Sequence, residues 1–269
     1  MNRRSIVIAC VLVLAIAAPG CAKRKQRKQE LGLLASAEET YAYALKTLDQ
    51  RDFRRAKQYL QRVEFTVENR RELEPLVRLA IADLTYYKGD SLSLIEARAL
   101  YQDFVTLYGD HPKAPYAQLQ TGLCSLAQVN HPSRDQSQTQ VAIADLRGVV
   151  DRYPNSPYVP IARLKIREAQ SRLAEHDYLI GRFYIKKKAF QAGVERLREV
   201  LNEYPDYDAK DKVYYWLGAT MVRADNEIEG RLYLEKLVAD YPTSEYVDKA
   251  REVLAKADRS SEADDETSS

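Results

Sequence analysis

The sequence predicts an all-α fold built as a run of helix pairs, and three observations carry that reading. Ten Gly and ten Pro are few for 269 residues, whereas Ala, Leu, Arg, Glu and Tyr are plentiful. The period-2 alternation of a half-buried strand is hard to find anywhere. Above all, one apolar pattern returns in five registers along the chain, the mark of a repeat architecture.

The elements follow in order. Residues 1–20 read as a targeting segment that stands apart from the fold. Arg3 and Arg4 precede an apolar stretch from Ser5 to Ala18, too short to span a bilayer. Ala18-Pro19-Gly20-Cys21 follows, small residues leading into a cysteine. Of the 41 Lys and Arg, two leave with this segment and no acid does, so 39 basic residues balance 39 acidic ones. That balance removes the main support for a nucleic-acid partner. Charge is local instead: Lys23, Arg24, Lys25, Arg27 and Lys28 form a basic tether over residues 21–35, suited to anionic headgroups.

The repeat comes next. Ala142, Leu146, Val149 and Pro154 are spaced by four, three and five; Gly193, Leu197, Val200 and Pro205 repeat the spacing, as do Gly230, Leu234, Leu237 and Pro242. Leu100, Phe104, Leu107 and Pro112 keep it without the small first residue, and Ala56, Leu60 and Val63 begin it with Glu68 at the proline position. A small residue lets a second helix approach a first one closely, the next two positions bury on the same face, and proline stops the helix. The pattern resembles the tetratricopeptide repeat. That resemblance implies a right-handed superhelix of five such helix pairs with a C-terminal capping helix.

The pairs are expected as Ser36–Gln50 with Phe53–Thr66, Glu72–Tyr87 with Ser93–Leu107, Ala114–Val129 with Thr139–Arg152, a long helix with Phe190–Glu203, and Asp208–Arg223 with Glu227–Asp240. The units span about 36–68, 72–110, 114–153, 157–204 and 208–241, with a cap at 244–257 and a disordered acidic tail at 259–269. The long helix is the strut between the two halves. It is expected from about Pro160 to Lys187, with Ser156 as a cap and Pro157 in a first-turn position. Ala162, Ile166, Ala169, Leu173, Ile180 and Phe183 would form one apolar stripe along it.

Catalytic chemistry finds no support. His111, His131 and His176 are far apart and form no ligand pair, and no phosphate loop, nucleophile elbow or zinc helix motif is present. No metal or other cofactor is expected. His176 falls on the long helix's stripe as a half-buried, hydrogen-bonded residue, and Cys124 reads as a small buried hydrophobe between Leu123 and Leu126. Nineteen Tyr against five Phe is the one compositional bias with a functional reading. Most serve the core, and Tyr41, Tyr86 and Tyr116 are candidates for a concave surface that grips a peptide.

Two further resemblances give these features a context. Small residues before Cys21 resemble the lipobox of bacterial lipoproteins, which implies lipidation (palmitate among the acyl groups) at Cys21, with Ala22 favouring the outer membrane. The lipobox, the five repeats, Tyr153-Pro-Asn-Ser-Pro-Tyr158, Leu173-Ala-Glu-His-Asp-Tyr178, Ser133-Arg134-Asp135 and Tyr86-Tyr87-Lys88 together resemble the BamD family. These are lipoproteins of the outer-membrane β-barrel assembly machinery. The chain departs from that family at Asn69-Arg70-Arg71-Glu72, where Tyr-Pro and small residues are usual. The resemblance implies a non-enzymatic scaffold facing the periplasm that holds a POTRA domain of BamA, works beside other lipoproteins of the machinery, and receives C-terminal segments of unfolded barrel proteins. On that basis Tyr178, Arg182, Tyr207 and Asp211 are the expected BamA-facing residues. Another periplasmic repeat adaptor, CpoB-like and serving Tol–Pal or cell-wall synthesis, is the alternative.

Overall fold

A computed structural model describes residues 36–66, 72–224 and 226–267. Cys21, the signal segment, the basic tether and Asn69-Arg70-Arg71 lie outside the described residues. Among those described there are eleven helices and no strand: α1 Ala37–Asp49, α2 Phe53–Thr66, α3 Leu73–Lys88, α4 Ser91–Leu107, α5 Ala114–Leu126, α6 Ser137–Arg152, α7 Val159–Lys186, α8 Phe190–Glu203, α9 Lys210–Arg223, α10 Glu227–Asp240 and α11 Val247–Thr267. The chain forms two compact units, one ending at Val77 and one starting at Arg78.

In the first unit, α1 starts where Ser36 accepts a hydrogen bond from Glu39 N, a side-chain cap for one of the helix's free donors. It turns at Arg51, held at φ 58°, and Asp52 accepts from Arg55 N to open α2. Ala44, Leu48, Ala56, Tyr59, Leu60 and Val63 are buried between α1 and α2, with Tyr43 edge-on to Tyr59.

In the second unit, from α4 onward, each helix packs on the next, and α9 also meets α7 and α11. The repeat explains the packing. Ala142, Leu146, Val149, Leu197, Val200, Leu234 and Leu237 are fully buried, and Gly193 and Gly230 stand at the helix crossings. At the α9–α10 crossing a Cβ on Gly218 would lie 2.7 Å from Gly230 O, and one on Gly230 would lie 2.8 Å from Gly218 O. Only glycine permits that approach.

The fourth register needs correction. Leu107 is 60% exposed, while Ala97, Tyr101 and Phe104 are buried. The buried set therefore begins three residues earlier, at a small residue after all, and ends at Phe104. Pro112 belongs to the following turn. Asp90 caps α4 by accepting from Ser93 N at 3.0 Å and from Ser93 Oγ at 2.6 Å, so the helix starts at Ser91, two residues before the expected start.

The long helix α7 runs 28 residues, as expected in length. Its start is not at Ser156, which instead accepts from Tyr158 N inside the preceding turn, while Pro160 takes the first-turn position. Its buried face is not one stripe either. Val159 and Ala162 are buried toward α6 and Ala169 is buried further along the same line, but Ala174, Tyr178, Gly181 and Ile185 are buried toward α8 and α9. Leu173 and Ile180 are only partly covered and Phe183 is 55% exposed. The helix changes neighbours midway, so its buried line steps sideways by one residue. At the other end α11 continues to Thr267, past the expected stop at Ala257. No Gly or Pro follows Pro242 to end it.

Candidate functional site

The residues expected to meet a partner fall into two sets. Tyr41 is half-buried in the first unit and donates to Leu76 O at 3.3 Å. Tyr86 and Tyr116 are packed against the α3–α5 core. Tyr116 donates to Asp83 at 2.9 Å, and Tyr101 donates to the same oxygen at 2.5 Å. Burial raises the Asp83 carboxyl above its ordinary 3.8, against the lowering by the two phenols, and raises both phenols in turn. These groups face inward.

The second set does come together. α7 carries Glu175, Tyr178 and Arg182 at helical spacings of three and four, which puts them on one face. α9 carries Asp211, Lys212, Tyr215 and Trp216, and the loop before it carries Tyr207. Glu175 accepts from Lys212 Nζ at 2.5 Å and from the Tyr207 hydroxyl. Lys212 Nζ also sits 4.4 Å from the Tyr178 ring centroid. Arg182 Nη1 donates to the Tyr178 hydroxyl at 2.8 Å, and its Cζ stands 3.4 Å from the Trp216 ring centroid. Tyr215 packs on Trp216 at 5.3 Å and on Tyr246, just before α11, at 5.1 Å. Asp211 accepts from Ser244 at 2.6 Å, which ties α9 to the turn before α11.

The four expected partner-facing residues differ in exposure and engagement. Tyr178 and Tyr207 are buried, each 4% exposed, because their rings fill the α7–α9 core and only their hydroxyls carry polar contacts. Asp211 is engaged with Ser244. Arg182 makes one side-chain hydrogen bond among the described residues, to the Tyr178 hydroxyl. Lys212, Trp216 and Tyr246 were not singled out by sequence; the run Tyr214-Tyr215-Trp216 beside a lysine was the available signal, and it reads equally as core.

The electrostatics suit contact, with no sign of a reacting group. Burial pushes the Tyr178 phenol up to about 12 although Arg182 draws it down, and burial raises Tyr207, Tyr215 and Tyr246 as well. All four stay neutral near pH 7. Cys124 is fully buried and its thiol is pushed up to about 12, so no thiolate is available for attack. His176 is half-buried with Nδ1 2.6 Å from Pro132 O, a structural bond to the α5–α6 loop. No described helix is long and apolar enough to cross a membrane.

Comparison with known proteins points in one direction. A family described as YfiO, outer membrane lipoprotein, matches residues 35–227. Over 207 residues the chain is 31% identical to the outer membrane protein assembly factor BamD of Caulobacter vibrioides, covering 76% of this chain and 65% of that protein. It is 32% identical over 137 residues to the assembly factor BamD of Vibrio cholerae, covering 47% of this chain and 56% of that one. The chain thus spans less than two thirds of the length of both. It is also 24% identical over 241 residues to the BamD of Rickettsia prowazekii, covering 89% of this chain and 93% of the relative.

Proposed function

The chain belongs to the YfiO family of outer membrane lipoproteins, and from that premise we propose that it is a non-enzymatic scaffold of the outer-membrane β-barrel assembly machinery. It is anchored by acyl chains on Cys21 in the outer membrane and faces the periplasm. It binds a POTRA domain of BamA through α7–α11, works beside the machinery's other lipoproteins, and receives C-terminal segments of unfolded barrel proteins on its earlier helix pairs. The domain plan follows: a signal segment at 1–20, a lipidated basic tether at 21–35, and helix pairs thereafter.

The observation that carries this reading is the family match, which runs from the first described helix into the start of α10. Stacked helix pairs present long faces suited to extended polypeptide. The α7–α9–α11 cluster supplies aromatic rings and cations there, the residue types enriched where partners dock. A single anchor beside a basic tether holds the chain reversibly, so Cys21→Ser is expected to release the protein from membranes. The decisive experiment is detergent extraction followed by pull-down, with depletion in parallel. BamA in the pull-down and loss of barrel proteins without a peptidoglycan defect support the reading. Cell-wall synthases without BamA would replace it with the periplasmic adaptor.

A further inference from the structure

Most part-buried cations of the second unit have acidic partners, and Arg172 and Lys210 donate instead to the Asn130 and Pro205 carbonyls. Arg98 pairs with Asp145, Lys212 with Glu175, Arg198 with Glu229 and Arg231 with Asp258. Arg182 departs from this. Its one hydrogen bond among the described residues goes to the neutral Tyr178 hydroxyl, and its guanidinium lies over the Trp216 indole. The acids of the neighbourhood are otherwise engaged or out of reach. Glu175 holds Lys212 and Tyr207, and Asp211 holds Ser244; Glu245, in the turn before α11, and Glu252 of α11 influence Tyr246 and Tyr215 without pairing with Arg182. Trp216 Nε1 is also buried with no hydrogen-bond partner among the described residues.

We propose that Arg182, backed by Trp216, is a docking point for an acidic side chain within a partner polypeptide. A guanidinium carries five donors in one plane, and one of them is spent here on Tyr178. Stacking on an indole removes water from one face and leaves the in-plane edge open for a bidentate carboxylate. The weak hydration of the guanidinium lowers the cost of closing that contact. The occupant is an internal Asp or Glu and not a chain end. Chain-end carboxylates are captured by backbone N–H groups, and Arg182 stands in the interior of α7, where those groups are consumed by the helix.

This inference rests on the scaffold reading, and the experiment separates the two. The full-length lipidated chain is expressed in its own host with Arg182 kept or changed to Lys, Gln or Glu, and the partner recovered in detergent extracts is quantified at low and high salt. Arg182→Lys, which keeps the charge but not the planar fork, is expected to fall between the parent and Arg182→Gln while keeping the salt dependence, Arg182→Gln to lose about tenfold or more along with part of the salt dependence, and Arg182→Glu to lose more still. Unfolding midpoints are measured on the same variants, so recovery is compared among folded proteins. If the parent recovers no partner, the scaffold reading fails. If the parent recovers it and Gln or Glu does so equally, or if Lys loses as much as Gln, the acidic contact is overturned. A photo-crosslinker at Lys249, whose Nζ lies 4.8 Å from the Tyr246 ring centroid, then locates the contact. An internal segment bearing Asp or Glu fits, and a chain terminus overturns the assignment.

Discussion

Two stretches of the second unit use the same repeat backbone for different ends. From α3 to α6 the polar groups turn inward and meet one another: Asp83 receives two phenols, Arg98 holds both Ser125 and Asp145, and Gln118 donates to Asp145 O. From α7 to α11, Arg182, Lys212 and Lys249 lie over aromatic rings, and the Arg182 guanidinium spends one of its five donors on Tyr178. The difference teaches that the apolar repeat sets where helices go, while the polar residues laid over it decide whether a face closes on itself or stays open to another molecule.

Truncation gives the largest test of that contrast. Phe104→Ala, at a fully enclosed ring in the first stretch, is expected to cost about 3–5 kcal/mol of unfolding free energy. Trp216→Ala in the second stretch should cost clearly less in denaturant titration and more in partner recovery, since Trp216 is only half-buried. Equal stability losses would erase the contrast. Next comes a feature that supports the second stretch: Gly230→Val forces atoms against Gly218 O and Val222 N and is expected to cost about 1–3 kcal/mol by thermal unfolding.

Smaller effects separate the two polar networks. Tyr101→Phe strips Asp83 of one donor and should cost about 1–3 kcal/mol, whereas Lys212→Met, breaking a pair nearer solvent, should cost about 1 kcal/mol or less. Both are read from denaturant midpoints. The pH dependence is the finest probe. Because the Asp83 carboxyl titrates above 3.8 in the folded chain, that state holds its proton longer than the unfolded one does. Stability from this group is therefore full below about pH 4 and is lost as pH rises through the raised value. Asp83→Asn should flatten that slope, and an unchanged profile would remove Asp83 as its source.

Much of the fold was legible because helix stops and small residues are local signals. The prolines at 154, 205 and 242 and the small residues at 142, 193 and 230 mark turns and crossings directly. The register around Leu107 was misread because Leu100 and Leu107 are apolar at the repeat spacing and yet lie off the buried line of Ala97, Tyr101 and Phe104. The stripe on α7 was misread because period alone does not reveal that a helix changes neighbours halfway along. The site was half legible: Arg182 was named from family resemblance, yet its partner Trp216 sits 34 residues away in sequence, in a run that pattern reading assigns to the core.

The sidestep in α7 turns residue count into an angular setting. Each residue added between Ala169 and Ala174 would swing everything downstream by about 100° and advance it about 1.5 Å. Two inserted residues would aim Arg182 nearly backwards, whereas a seven-residue insertion would bring it round to almost its original bearing, displaced by about 10 Å. The length of this one rod thus acts as a dial, fixing in which direction the later helices present what they carry.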